Sequence, residues 1–166
     1  MTFRKWWVAI LLTMMSAVPA LAQDQGRFAG TIRDQTNAFV SAAKVKVKNE
    51  RTGEERVILT NQEGYFEFIT VKPGAYLDPV SGVLRAPHIN ASFTGSGLMR
   101  RLVTTLFFPG EPGNDSDPAL AVIPDSELRA RLILQATQNP RAPAGMPACT
   151  IDIVLQGEGE TPFFVD

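Results

Sequence analysis

The chain has 166 residues, 45% of them hydrophobic, and a formal charge of −1. That length and apolar content suit one small domain or two very small ones, and the near-neutral charge excludes the basic footprint of a nucleic-acid binder. With 12 prolines and 13 glycines, the chain is one of many turns and short strands rather than long helices.

Residues 1–22 read as a signal peptide. Arg4 and Lys5 form a basic start, Trp6 to Met15 an apolar run, and Ala20-Leu21-Ala22 a small-x-small cleavage site that leaves Gln23 first in the mature chain. The apolar run is short for a membrane span. The expectation is an exported product, periplasmic or extracellular, with no membrane span after cleavage. Phe28 to Ile32 then read as a first strand, ended by Asp34-Gln35-Thr36-Asn37. Val45 and Val47 alternate with Lys44, Lys46 and Lys48. That is a strand with one wet, basic face, read as protection of a sheet edge. Val57 to Leu59 and Tyr65 to Val71 follow, the latter with Phe66 and Phe68 on one face, and Pro73-Gly74 closes the run. Strands recurring at such short intervals imply a sandwich or barrel.

Leu77 to Leu84 read as a loop. In the next strand Ile89 and Ala91 share one face, and His88, Asn90 and Ser92 the other. Leu102 to Phe108 is a further alternating strand, and Ala119 to Ile123 a short apolar one. Asp125 N-caps a helix near 126–134 with Leu128 and Leu132 on one face. Asn139 to Pro147 is a loop, Thr150 to Leu155 a strand, and Phe163-Phe164-Val165 a last apolar run. The expected core of this half is Phe93, Leu106, Phe108 and Ile153.

His88 is the only histidine. Two histidines spaced i, i+2 on a strand would grip one metal, whereas the neutral amide of Asn90 is a poor ligand for a hard ferric ion. Glu158 and Glu160 flank Gly159 and read as a solvated turn or a partner contact rather than a catalytic pair. Cys149 has no second cysteine to bridge and reads as a small core residue. The chain carries no phosphate loop, no Ser/His/Asp set and no CxxC.

Two resemblances sharpen this. Gly30 to Asp34, Ala43 to Asn49, Thr52-Gly53, Thr60 to Phe68 and Pro73 to Tyr76 resemble the carboxypeptidase regulatory-like domain, a small transthyretin-like β-sandwich. Arg85-Ala-Pro-His-Ile-Asn90, Gly97 to Leu102, Phe107 to Gly110, Asp117 to Ala121 and the Ile151–Thr161 tail resemble the C-terminal part of the alpha subunit of protocatechuate 3,4-dioxygenase, an intradiol ring-cleaving family. The segment 64–76 fits both. The chain therefore reads as a chimera: a carboxypeptidase regulatory-like portion at 23–76 and an intradiol alpha-subunit-like portion at 77–166. The implied fold class is all-β, a transthyretin-like or intradiol-dioxygenase-like sandwich with the one short helix.

Intradiol enzymes hold ferric iron with two tyrosines and two histidines. By resemblance Tyr76 matches one tyrosine and His88 the first histidine, while Asn90 stands where the second histidine would be. No tyrosine lies between Gln23 and Gly64 to complete the set. Arg85 matches an arginine beside the iron in active members, where it stabilises developing negative charge. Its other reading is an ion pair with an acidic loop residue. Thr105 falls where active members carry a glutamine near the substrate. The resemblance thus implies an alpha-type subunit that binds no iron alone and supports an iron-bearing beta-type subunit in a hetero-oligomer. The alternatives are an exported, non-enzymatic binding module and a single-chain dioxygenase using Tyr76, His88 and donors not identified.

Overall fold

The computed structural model describes residues 25–49, 52–95, 98–138 and 147–164. The segment read as a signal peptide, most of the loop at 139–147 and the end of the last apolar run lie outside these residues. Among the described residues ten strands form: β1 Gln25–Arg33, β2 Lys44–Lys48, β3 Glu55–Leu59, β4 Tyr65–Val71, β5 Tyr76–Leu77, β6 Leu84–Arg85, β7 His88–Thr94, β8 Leu102–Phe107, β9 Gln135–Thr137 and β10 Ala148–Val154. Two four-stranded sheets, in orders β4-β1-β10-β9 and β3-β2-β7-β8, face each other across the core, and β5-β6 is a separate hairpin. The all-β sandwich is as the sequence implies.

The two portions share both sheets. β1 lies parallel to β10 from Arg27 opposite Ala148 to Arg33 opposite Val154, so the first strand is held by the last. β2 lies antiparallel to β7, with Val45 opposite Phe93. Period-two alternation sends Phe28 and Ile32 of β1, Val45 of β2, Phe66 and Phe68 of β4 and Phe93 of β7 into one core with Leu106 and Ile153. Phe66 meets Phe28 edge-on at 5.5 Å within its own sheet and Phe93 at 6.4 Å across the sandwich. Gly30 makes room for this. A Cβ there would stand 2.4 Å from the Ile151 carbonyl oxygen and 2.7 Å from the Phe66 ring.

Four readings are corrected. Ala119–Ile123 is not a strand. Asp117 caps a helical turn, α1 Pro118–Ala121, accepting from the Ala119 N–H, with Pro118 at the first helical position. The expected helix over 126–134 stops early, as α2 Ser126–Ala130. Beyond it Leu132 and Leu134 exchange backbone hydrogen bonds with Phe107, which outweighs another helical turn. Leu77–Leu84 is the β5-β6 hairpin rather than a plain loop. Finally, β2 is an inner strand between β3 and β7, so its lysines guard no edge. The short strand β9, exposed throughout, had no sequence signal of its own.

Candidate functional site

The hairpin brings Tyr76 and Arg85 opposite each other, and Ala86-Pro87 lead straight from it into β7, whose first residue is His88. His88 is 7% exposed. Its ring lies between Tyr76, at 5.5 Å, and Phe107, at 5.6 Å. Nδ1 stands 2.7 Å from the Ala86 carbonyl oxygen, which only accepts, so Nδ1 carries the proton. In the neutral ring Nε2 then presents its lone pair to the Tyr76 hydroxyl at 3.4 Å, a long hydrogen bond. Asn90 projects to the same side of β7 two residues on, and its Oδ1 accepts from the Thr105 hydroxyl of β8 at 2.8 Å.

Arg85 turns to Asp117. Its Nε donates to Oδ2 at 3.0 Å, the Ala86 N–H donates to the same oxygen at 2.9 Å, and Oδ1 accepts from Ala119 N–H at 2.9 Å. Asp117 is fully buried, so this carboxylate is paired and bonded where water cannot reach it. The acidic loop residue foreseen for Arg85 is therefore Asp117. Its one advance signal was the Asp-Pro start of α1.

Tyr76, Arg85, His88 and Asn90 thus gather at one place, the junction of hairpin and sheet. Glu158 and Glu160 do not join them. Both are exposed in the turn after β10, and Glu160 accepts from the Gly157 N–H at 3.3 Å. Cys149 is half-buried in β10, and burial pushes its thiol up, only partly offset by the Lys72 charge. That is the opposite of what a nucleophilic thiol needs. Among the described residues no three His, Cys, Asp or Glu side chains gather as a metal site would require.

The carboxypeptidase regulatory-like domain family matches residues 27–95, a span that takes in the Arg85–Asn90 segment. The protocatechuate 3,4-dioxygenase beta chain of Burkholderia cepacia is 35% identical over 105 residues, 63% of this chain and 44% of that one. The alpha chain of the same enzyme from Pseudomonas putida is 37% identical over 110 residues, 66% of this chain and 52% of that one. The chain therefore spans about half the length of these curated relatives. Among solved structures, catechol 1,2-dioxygenase from Acinetobacter sp. ADP1 superposes with a TM-score of 0.65 at 20% identity, covering 92% of this chain and 59% of that one. The fold is that of the intradiol dioxygenases. The dioxygenase domain of a dioxygenase–carbohydrate-binding protein fusion from Streptomyces sp. SirexAA-E gives a TM-score of 0.61 at 22% identity, with 80% of each chain covered. The intradiol-like resemblance is shared by alpha and beta chains almost equally, where the sequence motifs alone point to the alpha chain.

Proposed function

We propose that this chain is an alpha-type, supporting subunit of an intradiol ring-cleaving dioxygenase that acts on protocatechuate-like catechols. The observation that carries this reading is Asn90. It occupies the position two residues beyond His88, and its amide oxygen is engaged by Thr105. Ferric iron prefers anionic oxygen and imidazole donors. Tyr76 and His88 supply one of each and face each other at 3.4 Å. Asn90 offers a neutral oxygen, and Arg85 beside them is a cation bound to Asp117. Two suitable donors do not make a ferric site, so the residues here do not fit the metal the family uses. The iron and the ring opening belong to a beta-type partner. The residues of this chain shape and support, and its residues 1–22 direct export.

Co-expression of the chain from Gln23 with an iron-bearing dioxygenase beta-type subunit tests this. Co-purification and faster protocatechuate cleavage by the pair than by the partner alone are expected. No retention of the partner would end the subunit reading. The match to the carboxypeptidase regulatory-like family over 27–95 favours a second reading, an exported binding module. That reading needs residues 23–80 to fold alone. Here β1 would lose β10 and β2 would lose β7, so the fragment is expected to give an unfolded circular-dichroism spectrum. A cooperative melt of the fragment would restore the module reading.

A further inference from the structure

We propose that β3 is the contact of a symmetric dimer, its outer edge pairing antiparallel with β3 of a second copy of this chain. Each sheet has two outer strands, β4 and β9 in one, β3 and β8 in the other. β8 is covered: Val103 accepts from the Phe164 N–H, and Phe107 exchanges hydrogen bonds with Leu132 and Leu134. On β4 the Ile69 carbonyl accepts from the Arg56 guanidinium at 2.8 Å, and the Tyr65 carbonyl from the Asn61 N–H. β9 has only three residues. Among the described residues no strand pairs with the outer side of β3. Its sequence, Glu-Arg-Val-Ile-Leu, has no lysine, proline or glycine to blunt an open edge. Its two charges are engaged elsewhere, Glu55 with Lys46 at 2.9 Å and Arg56 with Glu54 at 2.9 Å. Val57 and Leu59 are more than half exposed.

The phase of the hydrogen bonds makes this edge complementary to itself. At the two ends of the β2-β3 pairing, the Thr60 N–H donates to the Ala43 carbonyl and the Asn49 N–H to the Glu54 carbonyl. Along an antiparallel pair, residues that bond across it alternate with residues that turn their N–H and C=O away. Val45 stands opposite Ile58 and Val47 opposite Arg56. Ile58 and Arg56 therefore bond to β2, and Glu55, Val57 and Leu59 turn their backbone groups outward. Val57 is the middle residue of β3. A two-fold axis there sets Val57 opposite its own counterpart and Glu55 opposite Leu59 of the second copy. All three are outward-facing, so each facing pair exchanges its backbone bonds. The antiparallel sense also keeps the acidic ends of the two strands apart. It sets Glu55 toward the Lys44 end of the other copy, because Lys44 lies opposite Leu59. This match of phase and charge is the ground for a second copy rather than an unrelated strand. Five residues a side fall well short of the ~20–30 of a standard interface, so the dimer is weak and forms at high concentration.

This inference does not rest on the subunit reading, which stands even if the chain alone stays monomeric. The test is sedimentation of the chain alone, from Gln23, at micromolar to millimolar concentration. A reversible monomer–dimer equilibrium that stops at two copies is expected. Val57→Lys sets two ammonium groups face to face and should weaken it about tenfold or more, with the urea midpoint of the monomer unchanged. Crosslinking reads the register. In a Cys149→Ala background, Val57→Cys places two thiols on facing residues whose Cα atoms stand ~5.5 Å apart, within disulfide reach, and oxidised glutathione should link the copies. Leu59→Cys sets them about 14 Å apart along the strands and should not. A monomer at millimolar concentration overturns the proposal, as do open-ended aggregates, a dimer indifferent to Val57→Lys, or equal linking at both positions. If Val57→Lys instead costs the chain a co-expressed beta-type subunit and leaves self-association intact, the edge belongs to that subunit and the proposal fails.

Discussion

Two clusters meet at the base of the β5-β6 hairpin, and they are built on different plans. Around Asp117 the polar groups are closed upon one another: one buried carboxylate takes the Arg85 guanidinium and two backbone N–H groups, all between 2.9 and 3.0 Å. Around His88 the geometry is looser. Nδ1 is firmly held by Ala86 at 2.7 Å, but Nε2 and the Tyr76 hydroxyl stand 3.4 Å apart. The two clusters share the backbone of Ala86, so the tight one positions the loose one. An arginine that resembles a catalytic group is here the anchor of the hairpin. The pair that resembles iron ligands is carried on top of it.

Removing the tight cluster should cost most. Asp117→Ala strands the Arg85 guanidinium and two backbone donors, one of them the cap of α1. Breaking a buried pair in this way costs about 3–5 kcal/mol, read as a lower midpoint in urea melts. Asp117→Asn keeps the cap oxygen and should lose clearly less. Equal losses would show that packing rather than the charge pair holds the hairpin. His88→Phe comes next. It keeps the ring between Tyr76 and Phe107 but leaves the Ala86 carbonyl without its donor, a loss of about 1–3 kcal/mol. Tyr76→Phe should cost less than about 1 kcal/mol, because a hydrogen bond of that length contributes little. A larger loss would mean that the two clusters are equally tight.

Asn90→His sharpens the comparison from the side of function. It places a second imidazole on the His88 face of β7, at the i, i+2 spacing that lets two rings reach one ion. The Thr105 hydroxyl loses its acceptor, at about 1 kcal/mol, and Asn90 is only half-buried, so the fold should survive. Cobalt(II) titration followed by visible absorption should show binding in the variant well above the parent chain. Equal affinity in the two proteins would mean that Asn90 is not what limits the donor set.

The local pattern of this site was legible in the sequence. Alternation alone put His88, Asn90 and Ser92 on one face of a strand, and Ile89 and Ala91 on the other. What pairs with what was not. Arg85 reaches Asp117 across 32 residues, a contact set by the return of α1 against the hairpin. The lysines of β2 look the same on an edge strand and on an inner one. Strand order depends on β7 arriving from forty residues later. α2 ended early for the same kind of reason: Leu132 keeps helical spacing with Leu128, but Phe107 offered Leu132 and Leu134 backbone partners that periodicity cannot foresee.

The smallest effect should come with pH, and it falls on the hairpin that carries Tyr76. Asp78 sits in its turn, accepting from the Ser81 hydroxyl at 2.6 Å and from the Val80 N–H at 3.1 Å. The Ser81 hydrogen bond, then that to Val80, and more weakly the Arg85 charge hold its carboxyl below the usual range. A carboxyl lowered in the folded chain stabilises it fully above its unfolded value, about pH 4, and that contribution fades as pH falls through the lowered folded value. Asp78 is exposed, so the loss should be local and slight. Hydrogen exchange at Gly82, whose N–H donates to the Asp78 carbonyl at 2.8 Å, should quicken relative to the core amides as pH drops below about 4. Asp78→Asn should abolish that relative change. If instead Gly82 and the Ala86 N–H bound to Asp117 lose protection together, the hairpin and the buried anchor open as one unit, and the distinction between the two clusters fails.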